Sequence, residues 1–143
     1  MGPLEESLFL LRLFPDFGCL ILVLMVQLAI YPSFNYFDDK GILAWHQKYT
    51  RQITFLIMPL MLAQLTLSFT CLLYQFTLSN ALVLAFIILI WVLTFTMAIP
   101  AHNRINSDKR SEMVSILLKV NAWRCILWSA IFIINAWTFI SLN

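Results

Sequence analysis

This sequence carries little charge. Asp, Glu, Lys and Arg make up 11% of its 143 residues and hydrophobic residues 62%, with a mean hydropathy of +0.87. Ordinary globular chains carry about 25% charged residues, so this balance excludes a water-soluble globule and leaves an integral membrane protein. Glycine is scarcer still. Gly2, Gly18 and Gly41 stand apart from one another, and no glycine-rich loop exists to cradle a phosphate, a flavin or a nicotinamide. The three cysteines, Cys19, Cys71 and Cys125, lie singly in apolar runs, without the close pairing of zinc sites, and read as small core residues. The net charge of +2 is scattered, with no basic stripe interleaved with aromatics, which argues against nucleic-acid binding. Glu5 and Glu6 stand where a secretory signal carries positive charge, so the first apolar run is expected to stay in the mature chain.

What remains is long apolar runs. About 20 such residues cross a bilayer as a helix, and the pattern predicts helices over about 17–36, 42–74, 81–99 and 113–139. Residues 4–14 form a short amphipathic stretch, interfacial or joined to the first helix, and Pro15 with Asp16 reads as a helix start with Asp16 as the cap. Pro59 is expected to kink the second helix and Pro100 to stop the third. Short connections favour an all-α, up-down-up-down bundle of four transmembrane helices, a single membrane domain over 1–143. Lys40, Lys48, Arg51, Arg104, Lys109, Arg110, Lys119 and Arg124 fall on one side and Arg12 on the other. That bias predicts cytoplasmic charged loops and both termini outside.

Alternating helices bring Tyr31–Ile53 and Ala98–Trp128 to one face, where most polar side chains gather. Helical phase aligns Gln27, Tyr31 and Asn35; His46, Thr50, Ile53, Ile57, Gln64 and Ser68; Trp91, Phe95, Ala98 and His102; and Asn121, Arg124, Trp128 and Asn135. The stripes predict a cavity, polar at its cytoplasmic end and aromatic within, with Tyr31, Tyr49, Trp91, Phe95, Trp123 and Trp128 as its lining. Interfacial belts use Tyr and Trp equally well. Arg124, about three turns into its helix, has Asp38, Asp39 or an anionic substrate as candidate partners, or snorkels to the headgroups. His46 and His102 suit proton transfer, haem or metal ligation, or plain interfacial hydrogen bonding. A non-haem metal would need a carboxylate as well, and the nearby acids are Asp38, Asp39, Asp108 and Glu112. Gln27, Gln64 and Asn135 read as interhelical glue.

The motifs YPSF (Tyr31–Phe34), HQKYTRQITFLIMPLML (His46–Leu62), TFTMAIPAHNRI (Thr94–Ile105) and VNAWRCILW (Val120–Trp128) resemble small four-helix integral membrane proteins of unknown function. More distantly they resemble the anthrone-oxygenase-like group. That resemblance implies oxidation of a fused aromatic or quinoid substrate by molecular oxygen, with His46, His102 and Trp123 as loosely matching positions. With no nucleotide or flavin motif, the oxidation would be cofactor-free, metal-dependent or haem-dependent.

The leading expectation is a membrane oxidoreductase or oxygenase whose cytoplasmic-side cavity binds a lipophilic aromatic or quinone-like molecule. In it His46 or His102 acts as base, and Arg124 and Asn121 stabilise an oxyanion. The alternatives are a haem- or quinone-binding electron carrier ligated by His46 and His102, and a non-enzymatic membrane subunit or interaction protein. No small-residue glycine face indicates an oligomeric state.

Overall fold

The computed structural model describes residues 3–105 and 110–142. Asp108 and the side chains of Asn35 and Asp39 lie outside the described residues. Helix α1 (Pro3–Met25) runs through a π turn (Val26–Ile30) into the short α2 (Tyr31–Ser33) and a 3-10 turn (Phe34–Tyr36). Helix α3 (Asp39–Tyr74) follows. Then α4 (Leu78–Leu93) passes through a second π turn (Thr94–Ala98) into α5 (Ile99–Arg104), and α6 (Arg110–Leu142) ends the described chain. Four helical stretches, Glu6–Ser33, Ala44–Tyr74, Leu78–Arg104 and Ser111–Ser141, are long and apolar enough to cross a membrane.

The helix starts are capped from the sequence. Asp38, in extended backbone, accepts from the Gly41 amide at 2.7 Å and opens α3. A side chain at Gly41 would meet that carboxylate, so the cap needs glycine there. Thr77 opens α4 in the same way through the Asn80 amide.

Two expected boundaries are corrected. Pro15 lies inside α1, which already includes Leu4–Phe14, and Asp16 caps nothing: it is fully buried, with side-chain partners on other helices. Pro100 does not stop the third span. Its ring cannot donate to the carbonyl of Thr96, four residues earlier, and that carbonyl falls in the π turn, whose wider loop relieves the clash and lets the helix continue. The first π turn stands in the same relation to Pro32.

The helices pack in a ring, α1 against α3 and α6, α4 against α3 and α6, while α5 lies on α6. On α1 and at the start of the first π turn, the buried residues Phe9, Arg12, Asp16, Cys19, Val23 and Val26 recur every three or four positions, the seam of a helix bundle. Large apolar side chains such as Phe14, Leu28, Phe55 and Phe76 point outward, a surface compatible with a multi-pass membrane protein. The hydroxyls of Thr54, Thr66, Thr70 and Thr96 bond within their own helix, to carbonyls four residues back, which satisfies these donors without water.

Candidate functional site

The two π turns deliver the residues of the site. Tyr31 follows the first and His102 the second, and Tyr31 Oη lies 3.1 Å from His102 Nε2. The other nitrogen of His102, Nδ1, lies 2.9 Å from His46 Nε2, and the two rings stack with centroids 5.1 Å apart. Thr50, one turn after His46, donates to the His46 carbonyl and stands 3.4 Å from its Nε2. Phe34 covers the group, packing its ring near Tyr31, His46 and Tyr49. Three segments distant in sequence thus meet in one row: Tyr31, His102, and His46 with Thr50.

Below that row lies a cavity of about 160 Å³. Tyr31, Tyr49, Thr50, His102, Asn121 and Arg124 supply much of its polar lining, while Val26, Ile53, Ile57, Met61 and Ala98 contribute apolar wall. A cavity of roughly 150 Å³ takes one benzene ring, so this one has the size of a single ring. Its floor is polar and buried: Tyr31 is 2% exposed, Asn121 1% and Arg124 7%. A larger depression of about 1300 Å³ along Ala44–Leu56 is lined by α3 alone and encloses nothing.

Arg124 sits 14 residues after Arg110, about 21 Å along α6. An Arg at that depth costs about 2.5–3.5 kcal/mol on insertion scales, so its partners matter. Its guanidinium lies over the Trp128 ring at 5.0 Å and Nη1 reaches Asn121 Oδ1 at 3.5 Å, a long bond, while Nε is buried with no partner. Among the described residues no carboxylate pairs with it. Asp38, one expected partner, is occupied as the α3 cap. Asn121 is held in turn, donating to the Val23 carbonyl at 3.1 Å and to Gln27 Oε1 at 2.9 Å. Gln27 therefore positions the site rather than only joining helices.

The expected aromatic lining is corrected. Tyr31 and Tyr49 line the cavity; Trp91, Phe95, Trp123 and Trp128 do not. Trp91 and Phe95 stack on each other, with Phe95 53% exposed, and Trp123 is exposed on the outer face of α6. Trp128 is fully buried beneath Arg124 and donates to Gln64 Oε1 at 3.0 Å. The phase error on the third span has a physical cause. The π turn inserts one extra residue, so His102 comes into phase with Ile90 and Thr94 instead of Trp91 and Phe95.

A second polar cluster, at the opposite end of the bundle, was not legible as a unit. Asp16 accepts from Gln64 Nε2 at 2.7 Å and from Asn135 Nδ2, and Arg12 Nη1 donates to Asn80 Oδ1 at 3.0 Å. Asn80 also ties the turn before α4 through the Gln75 carbonyl. All five residues are buried. The three-four spacing of Arg12 and Asp16 with Cys19 and Val23 was the signal that could have found them.

The histidine pair as it stands does not suit haem. Two imidazoles ligating one ion from opposite faces, each about 2.0–2.1 Å from it, hold their nitrogens about 4 Å apart, but these nitrogens are 2.9 Å apart and hydrogen-bonded to each other. The adjoining space has the volume of one ring, not of a porphyrin. Among the described residues no three His, Cys, Asp or Glu side chains converge as metal ligands. No family model, curated protein or solved structure matches the chain, and the reading of this site therefore rests on its own geometry.

Proposed function

We propose that the protein is a multi-pass membrane protein that binds the single-ring head of a lipophilic aromatic or quinone-like molecule in the Arg124 cavity and, where that head carries a phenol or quinol hydroxyl, takes a proton from it. The observation that carries this reading is a buried guanidinium, with no carboxylate partner among the described residues and its Nε unbonded, at a ring-sized cavity lined by Tyr31 and His102, the inner part of a hydrogen-bonded row that continues to His46.

The chemistry follows from the donor inventory. One hydrogen lies between the facing nitrogens of His46 and His102. If His46 Nε2 carries it, His102 is protonated on Nε2 and donates to Tyr31. If His102 Nδ1 carries it, Nε2 of His102 is the acceptor and Tyr31 donates. Switching between the two forms passes a proton along the row, from the cavity wall toward the start of α3. A phenol or enol on the cavity floor would give its proton to Tyr31 or His102, and the oxyanion left behind would face Arg124; Asn121, whose two N–H donors are engaged by the Val23 carbonyl and Gln27, would hold the guanidinium through Oδ1 rather than bind the anion. An oxidoreductase goes one step further, passing electrons from that anion to an oxidant that these residues do not supply.

The histidine end is placed in the cytoplasm. Setting aside Arg12 and Arg124, which are buried, the sequence bias leaves seven Lys and Arg at this end and none at the other. Both termini then lie outside.

The test uses 4-nitrophenol, which is coloured only when ionised. Protein in lipid nanodiscs is expected to produce the phenolate band in buffer acidic enough that the free phenol stays colourless. Arg124→Gln should remove the band, and His102→Ala should weaken it more than His46→Ala, because His102 lines the cavity and His46 lies behind it. An absent band with folded wild-type protein overturns the proposal.

A further inference from the structure

The cavity opens sideways. Its exposed rim consists of Thr54 on α3 and Ile99 and Asn103 on α5, while its buried floor is Tyr31, Asn121 and Arg124. Thr54 lies ten residues into the Ala44–Tyr74 span, about 15 Å from its start, and Ile99 five residues before the Leu78–Arg104 span ends, so the mouth runs from Asn103 at the loop end into the apolar part of the spans. The packing explains the opening. Helix α3 packs on α1 and α4, and α5 packs on α6, so no close helix–helix seam seals the space between α3 and α5. The His46–His102 bond crosses that space on its loop side. Met58 and Thr94 line the cavity farther from the loops, and Phe55, Leu56 and Phe95 are exposed on the apolar outer surface of the same two spans.

We propose that the ligand comes from the lipid: a single-ring amphiphile whose acidic head passes between α3 and the Thr94–Arg104 segment to Arg124, while its alkyl tail stays outside, threaded past Thr54, Met58 and Ile99. The inference rests on the cavity reading above and adds the route and the tail. Its chemical basis is a match of three features. The floor offers an unpaired cation nine-tenths buried, which selects an anionic or ionisable head. The volume admits one ring and no more, so a longer molecule must leave part of itself outside. The mouth extends into the apolar span, where an alkyl chain is already dissolved and a water-soluble ligand is not.

The experiment compares 4-nitrophenol with 2-dodecyl-4-nitrophenol in nanodiscs of phosphatidylcholine, reading the phenolate band against probe concentration. Ile99→Trp and Thr54→Trp narrow the rim at exposed positions, with gel filtration and helicity as checks on folding. Both variants are expected to weaken binding of the dodecyl probe at least tenfold more than binding of the tail-less probe. Equal binding of the dodecyl probe by wild type and rim variants overturns the lateral route and leaves the cavity reading standing. No band from either probe in wild type overturns both. Should the rim variants misfold, a dodecyl probe carrying a photoreactive diazirine in mid-chain decides on wild-type protein. Label on Thr54, Met58 or Ile99 supports the route, and label confined to Phe34, Phe37 or Ile42 at the loop end overturns it.

Discussion

Two buried polar clusters occupy opposite halves of this bundle, and they differ in what their polar groups face. Around Asp16 the partners are protein: Gln64 and Asn135 donate to the carboxylate, and Asn80 takes Arg12. Around Arg124 the partners are incomplete and a cavity takes up the remainder. Both clusters are equally conspicuous as buried charge, so burial alone does not separate a structural lock from a binding site. The presence of unpaired donor capacity beside open space does. The Asp16 group is not perfectly satisfied either, since Arg12 Nε, Ser68 Oγ and Asn135 Oδ1 have no partner, but its carboxylate is held from two helices at once.

The sharpest way to break this contrast is Asp16→Ala. It strips two buried donors of their acceptor and should destabilise the bundle by about 2–5 kcal/mol, with the nitrophenol response of the folded fraction unchanged. Loss of binding without loss of thermal stability would reverse the roles assigned to the two clusters. Next in size is Arg124→Leu, which should weaken phenolate binding by about 10–100-fold, the worth of a charge-assisted bond. Its thermal midpoint should be unchanged or higher, because a buried charge without a partner opposes folding. A marked drop in the midpoint would make Arg124 a structural residue. The smallest effect expected is from Gly18→Ala, whose new methyl would lie 3.1 Å from Leu60 Cδ1 across the α1–α3 contact. That side chain can shift, so the cost should stay near or below about 1 kcal/mol, with binding unaffected.

The sequence was informative where the solvent decides and silent where distant partners decide. Four spans, their order and the gathering of His46, His102, Asn121 and Arg124 at one end follow from apolar length and alternation. The ends of the spans were misread because proline and aspartate have ordinary meanings near a helix start. Pro15–Asp16 looks like a cap until Gln64 and Asn135, 48 and 119 residues away, are known to reach the carboxylate. The aromatic lining failed for a narrower reason. A regular 3.6-residue period cannot foresee an added residue, and the Thr94–Ala98 turn adds one between Trp91 and His102.

That extra residue also bears on how the gene can vary. Loops usually absorb insertions and deletions, but here the third span carries a surplus position in its interior, just ahead of Pro100. Removing any one residue between Thr94 and Ala98 would regularise the helix and turn everything beyond it by about 100°. His102 would swing away from both Tyr31 and His46, even though every side chain of the row was still encoded. The coding length of that five-residue stretch is therefore as much a part of the site as the histidine itself.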